Sequence, residues 1–173
     1  MTETEAGMDA REWQIWQQFL AQADTKALFF SVVTLNYDSG SGTHPLVQKI
    51  LTDPSTDLAV VKALYFRLGP RFLKQYASQD DAPEYLQDAY RLVEQLEQKV
   101  ANGFYRQNAY YYDPASDFGE NWLKDYADIA VQNEIPQNMT SALNGEADLV
   151  IDEPWESFED GLPFELAEKL FDD

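Results

Sequence analysis

The sequence predicts a mainly α protein: a compact single-domain helical bundle or helical array with few or no short strands. Three observations carry that expectation. Apolar residues recur at helical spacing in successive stretches, and cap-forming residues such as Asp9 and Asp24 stand just ahead of them. No internal repeat, heptad run or low-complexity linker divides the 173 residues, a length that fits one domain with a sizeable core.

Taken in order, the first helix is expected to start at Asp9, with Glu12 three residues later completing a capping-box pattern. Its residues Trp13, Ile15, Trp16, Phe19 and Leu20 fall on one side and Gln14, Gln17 and Gln18 on the other. Asp24 is placed to cap a second helix, TKALFFSVVTL, which ends before the turn-forming NYDSGSG. A short helix in HPLVQKIL follows, with Pro45 in its first turn. STDLAVVKALYFRLGP reads as a helix capped by Ser55 or Thr56 and stopped by Gly69 and Pro70. It is apolar nearly all the way round, interrupted mainly by Lys62 and Arg67, and such a helix belongs at the centre of the fold.

The clearest amphipathic helix runs from about Pro83 to Ala101, with Tyr85, Leu86, Ala89, Leu92, Val93, Leu96 and Val100 on its inner arc. Beyond Gly103, the aromatic stretch FYRQNAYYYD suggests one alternating strand, with Tyr110 and Tyr112 inward and Tyr111 outward. A polar loop, PASDFGEN, leads to an expected helix around NWLKDYADIAVQ and then to a short one from Pro136 to near Gly145. At the end, Phe164, Leu166, Ala167, Leu170 and Phe171 share one arc, and Glu165, Glu168 and Asp172 the opposite one. The segment 146–173 is therefore expected to be docked on the domain, with its acidic face outward.

Charge narrows the function classes. Lysine and arginine total 12 against 31 acids, a net charge of −19. Residues 146–173 hold eleven acids and one lysine, a local net charge of −10, so over half of the excess lies in the last 28 residues. Such a surface repels nucleic-acid phosphate and anionic membrane and favours cationic partners. With no cysteine, thiolate nucleophiles, disulfides and zinc–thiolate sites are excluded. The opening MTETEAGMDAREW has acids where a signal peptide needs positive charge, and no apolar run approaches the length of a membrane span, so a soluble cytoplasmic protein is expected.

No motif spells out a reaction. His44 is the single histidine and has no nucleophile elbow beside it, so a structural or merely exposed role is expected. YDSGSG lacks the lysine and hydroxyl residue that end a phosphate loop and reads as a turn. DPASDFGEN brings Asp113, Asp117 and Glu120 close in sequence without an EF-hand register, so a capping loop is expected, with weak calcium binding as the lesser alternative. No catalytic residue, cofactor or metal is assigned. Candidate partner-binding residues are Trp155, Glu156, Phe158, Glu159, Asp160, Glu165, Glu168 and Asp172, with Trp155 and Phe158 either anchors in an acidic rim or the staple that holds the C-terminal segment down.

The block NYDSGSGTHPLVQKILTDPSTDLAVVKALYFRLGP resembles the bacterial domain-of-unknown-function family numbered 4274. The resemblance rests on Asn36, Tyr37, Asp38, Gly40, Asp53, Pro54, Asp57 and the helix from Leu58 to Leu68, whereas Thr56 stands where the family has cysteine. NGFYRQNAYYYDP and WESFEDGLPFELAEKL also look like segments of such proteins. The family implies no reaction and no catalytic residue, and some members look like immunity proteins of bacterial toxin systems. The expected function is thus a cytoplasmic immunity or inhibitor protein, not an enzyme, that neutralises a cognate basic toxin domain, a nuclease among the candidates. An acidic chaperone or adaptor for a secreted effector is the alternative, then a DNA mimic or a hydrolase drawing on carboxylates such as Asp113, Asp117 and Glu120. No membrane or direct nucleic-acid partner is expected, and the sequence does not fix the oligomeric state.

Overall fold

The structure, a computed structural model, describes residues 7–38, 42–149 and 152–171. Its first three helices start where the caps predict. Helix α1 (Ala10–Gln22) begins at Asp9, whose carboxylate accepts the Glu12 N–H at 2.8 Å. Helix α2 (Thr25–Thr34) begins at Asp24, which accepts the Ala27 N–H at 2.8 Å. In α3 (Pro45–Thr52) the cap is the ring of His44, whose Nδ1 accepts the Leu46 N–H at 3.2 Å. Each cap satisfies one of the amide donors that a helix start leaves without a partner.

Helix α4 (Leu58–Arg67) is the centre of the molecule. Eight successive residues, Ala59 to Phe66, are buried, as an all-round apolar pattern requires. It packs against α2, α3, α5 (Pro70–Leu73), α6 (Glu84–Ala101) and the strand β1 (Tyr110–Tyr112). Gly69, at φ +69°, ends α4, and Pro70 then opens α5 instead of simply stopping the chain.

The strands are short, and the mainly α class holds. Strand β1 is the middle of a three-stranded sheet, with Tyr112 opposite Leu143 of antiparallel β2 (Leu143–Asn144) and Tyr110 opposite Ala147 of parallel β3 (Ala147–Asp148). The chain passes from one side of β1 to the other at Gly145, where a Cβ would lie 2.0 Å from the Tyr110 carbonyl carbon. Only glycine fits that crossing. Tyr112 is buried, Tyr111 exposed and Tyr110 between them, the expected alternation. A hairpin of β4 (Phe158–Glu159) and β5 (Leu162–Pro163) precedes the last helix, α8 (Phe164–Ala167).

Several expectations are corrected. The cap of α4 is Asp57, not Ser55 or Thr56: one carboxylate oxygen accepts the Ala59 N–H at 3.0 Å and the other the Ala109 N–H at 2.8 Å. Ser55 instead bonds Asp53, and the buried Thr56 hydroxyl has no hydrogen-bond partner among the described residues. The helix expected over 121–132 is only a 3₁₀ turn at Trp122–Lys124. Tyr126 sits at φ +51°, outside helical geometry, and Arg71 draws away the carbonyls of Tyr126 and Ile129. The helix expected from Pro136 to Gly145 is confined to α7 (Gln137–Thr140), because Leu143 leaves it to pair with Tyr112. Tyr85, placed on the inner arc of α6, is 80% exposed; Tyr90 is buried instead, its hydroxyl donating to the Tyr76 carbonyl at 3.2 Å. Gly40 and Asp172 lie outside the described residues. Among the described residues, no helix is long and apolar enough to cross a membrane.

Candidate functional site

The C-terminal segment is fixed to the helical core by its hairpin turn. Asp160 and Gly161 occupy the turn at φ +46° and +83°, the left-handed pair that a tight two-residue hairpin demands. The turn is bonded to the end of α2 at three points. The Ser31 hydroxyl donates to the Gly161 carbonyl at 2.5 Å, the Gly161 N–H donates to the Thr34 hydroxyl at 3.2 Å, and the Asn36 N–H donates to the Asp160 carboxylate at 2.8 Å. A Cβ on Gly161 would come within 2.8 Å of Trp16 Cη2, so the turn lies directly against the α1 indole.

This attachment builds a groove of about 420 Å³. Its floor is apolar, formed by Trp16, Leu35, Leu162 and Ala167, all buried. Glu12, Glu159 and Asp160 supply carboxylates at its edge, and the half-exposed segment end contributes Leu170 and the 81%-exposed Phe171. Among the described residues, no lysine or arginine lines it. Burial raises the Glu12 carboxyl above its ordinary value, and the negative charges of Asp9 and Asp160 raise it further. His44 also lines the groove, its ring edge-on to Trp16 with centroids 4.5 Å apart. Burial pushes its pKa down to about 4 against a small upward pull from Asp160, so at neutral pH the ring is uncharged. Since Nδ1 accepts the Leu46 N–H, the proton of the neutral ring is on Nε2.

The sequence-predicted binding residues separate into three groups. Glu159 and Asp160 stand at the groove. Glu156, Glu165 and Glu168 are exposed on the same C-terminal segment, where Trp155 is 52% exposed and meets Phe118 edge-on. Phe158 is not a presented anchor: it is only 9% exposed and packs edge-on against Phe19 and Phe30. It is the staple of the segment, together with Leu162 and Ala167. Glu12 and His44, by contrast, were not singled out for binding by sequence. Their capping patterns pointed to helix starts, and no local signal shows that two such starts face one groove.

A second polar cluster is largely buried, centred on the fully buried Asp117 and Tyr112. Arg67 at the end of α4 donates to both oxygens of Asp117, at 2.7 and 3.0 Å, with their side chains 9% and 0% exposed. The Tyr112 hydroxyl at 2.7 Å and the Trp122 indole N–H at 2.9 Å also donate to Asp117, and the Arg67 guanidinium lies 5.4 Å from the Trp122 ring centroid. Burial works to raise the Asp117 carboxyl, but the hydrogen bonds and charge of Arg67 prevail and hold it below the usual carboxylate value. Of the acids a hydrolase would draw on, Asp117 is thus committed to Arg67, and Asp113 accepts the Ala115 N–H at 2.9 Å as a turn cap. Among the described residues, no group of three or more His, Cys, Asp or Glu side chains is placed to hold a metal ion. The sequence signal for this cluster is Arg67 itself, because a guanidinium ending an otherwise apolar helix requires a buried acceptor.

Residues 23–101 match the family model described as domain of unknown function (DUF4274), so the resemblance seen around NYDSGSGTHPLVQKIL is borne out over that span. The span runs from just before the α2 cap to the last residue of α6. The segments NGFYRQNAYYYDP and WESFEDGLPFELAEKL lie outside it. No curated protein and no solved structure matches the chain. Of the groove, Leu35, Asn36 and His44 fall inside the matched span, whereas Trp16, Glu12 and the hairpin flank it.

Proposed function

We propose that this chain is an immunity-type inhibitor that binds and neutralises a basic toxin domain in the cytoplasm. The observation that carries the reading is the docking of the acidic C-terminal segment. Carboxylates on a floppy tail would be screened and costly to order on binding. Here Phe158, Leu162 and the hairpin turn hold the segment on the core, so Glu156, Glu165, Glu168 and Trp155 are exposed from an ordered support. With a net charge of −19, the protein attracts a cationic partner, and steered association of this kind reaches about 10⁸ M⁻¹s⁻¹ at low salt. A toxin that grips phosphate with lysines and arginines offers the complementary surface.

The test is co-expression with the product of the neighbouring gene. Rescue of growth together with a stoichiometric complex supports the reading. A neighbour that is harmless and does not bind removes it. Changing Glu156, Glu165 and Glu168 to lysine should slow association at least about tenfold at low salt while leaving the melting temperature nearly unchanged. An unchanged association rate would remove the electrostatic part.

A further inference from the structure

We infer that the groove between α1, His44 and the β4–β5 hairpin receives an arginine side chain from a partner protein. The inference rests on the binding reading above and names the contact at its centre. The groove joins two features that a guanidinium-tipped side chain matches in sequence along its length. The apolar floor of Trp16, Leu35 and Leu162 suits the methylene stem, and the carboxylates of Glu12 and Asp160 suit the charged head.

Other cations fit less well. A metal ion needs converging ligands, and among the described residues no group of three or more acidic or histidine side chains is so placed. An ammonium is a compact, strongly hydrated charge, whereas a guanidinium sheds water more readily and stacks on aromatic faces. The exposed ring of Phe171 stands at the same groove as such a face. Among the described residues that line the groove, none is lysine or arginine, so the wall itself brings no fixed cation to Glu12. The histidine adds no positive charge at neutral pH, so nothing on the wall repels an incoming guanidinium.

The probe is Nα-acetyl-arginine amide, titrated into the full chain and followed by amide and indole NMR signals, with Nα-acetyl-norleucine amide as the uncharged control. Saturable shifts are expected at Gly161, Asn36 and the Trp16 indole, with the Glu12 carboxyl titrating at lower pH when the probe is bound. The variant Glu12→Gln with Asp160→Asn leaves the Asp9 cap of α1 in place and keeps a residue type that tolerates the left-handed turn. It should weaken the probe at least about tenfold. Equal binding by this variant or by the norleucine control overturns the inference. The same variant separates the two claims. If it leaves a toxin complex unweakened, the groove is not the anchor while the immunity reading stands. If no neighbour binds but the arginine probe saturates the groove, the site stands without that reading.

Discussion

Replacing Asp117 by asparagine should be among the most damaging single changes in the molecule, although it alters no more than one oxygen. Four donors converge on this carboxylate: two from Arg67, one from Tyr112 and one from Trp122. An amide offers a single acceptor oxygen and turns its own N–H₂ toward a donor, so at least one buried donor loses its partner. The larger loss is charge, because Arg67 stays 9% exposed with nothing to neutralise it. Breaking a buried ion pair from one side costs about 3–5 kcal/mol. In a chain of this size, that lowers the melting temperature by roughly 6–20 °C. Urea and thermal melts at neutral pH followed by circular dichroism measure it. Adding Arg67→Met removes the stranded cation and should recover at least about 2 kcal/mol, which a double-mutant cycle reads as coupling. The folded carboxyl is held below its unfolded value, so its stabilisation is present above about pH 4 and lost as pH falls. The asparagine variant should lack that part of the acid limb. A loss under about 1 kcal/mol, or strict additivity of the two changes, would refute the account.

Three further changes test other parts of the structure. Lys62 is 2% exposed with its amine 2.6 Å from the Ser141 carbonyl, and burial lowers its pKa from 10.5 to about 8. The unfolded chain therefore holds that proton between the two values, and wild-type stability should rise with pH across that window. Lys62→Met should be more stable than wild type by about 1–3 kcal/mol at pH 7, with the gain shrinking by pH 10.5; an equal gain at both pH values would contradict this. Thr56→Val should add about 1 kcal/mol, since it removes a buried hydroxyl with no partner at no cost in shape; a destabilised variant in urea melts would show a partner the structure lacks. Gly161→Ala should cost about 2–4 kcal/mol, because a Cβ would meet Trp16 at 2.8 Å and the residue sits at φ +83°. Limited proteolysis should then cut the C-terminal segment first, and an unchanged digestion pattern would oppose the proposed attachment.

Where local chemistry alone decides an element, the sequence was legible. Asp9, Asp24 and the His44–Pro45 pair each mark a helix start that needs only its own first turn. The cap of α4 was not, because Ser55, Thr56 and Asp57 are all competent caps, and the demand of Ala109 for an acceptor selects the last. The helix expected after Asn121 fails for a comparable reason, since Trp122 is drawn to Asp117 and Arg71 takes carbonyls that a helical ladder would use. At the C-terminus, Ala167 is buried and Leu166 and Leu170 are half-buried as the arc expects, yet Phe164 and Phe171 at its two ends are exposed, Phe171 at 81%. The α-helix ends at Ala167 and continues as a 3₁₀ turn over Glu168–Leu170. A 3₁₀ turn advances about 120° per residue instead of 100°, so a wheel drawn for an α-helix has lost phase by Phe171. The groove was only half legible: Glu159 and Asp160 followed from acidity, while Glu12 and His44 join them through a hairpin that no local pattern announces.

The staple formed by Phe158 also bears on how far the packed unit reaches beyond the matched span. Within the matched span, Phe30 is covered by Phe158 and Phe29 by Tyr112, and both covering residues come from beyond residue 101. A fragment trimmed to residues 23–101 would strip those covering contacts from both rings while keeping the packing of α2 on α4. The core-facing rings of α2 and the distant C-terminal hairpin therefore bury one another. The span that matches the family model is shorter than the part of the chain that packs together.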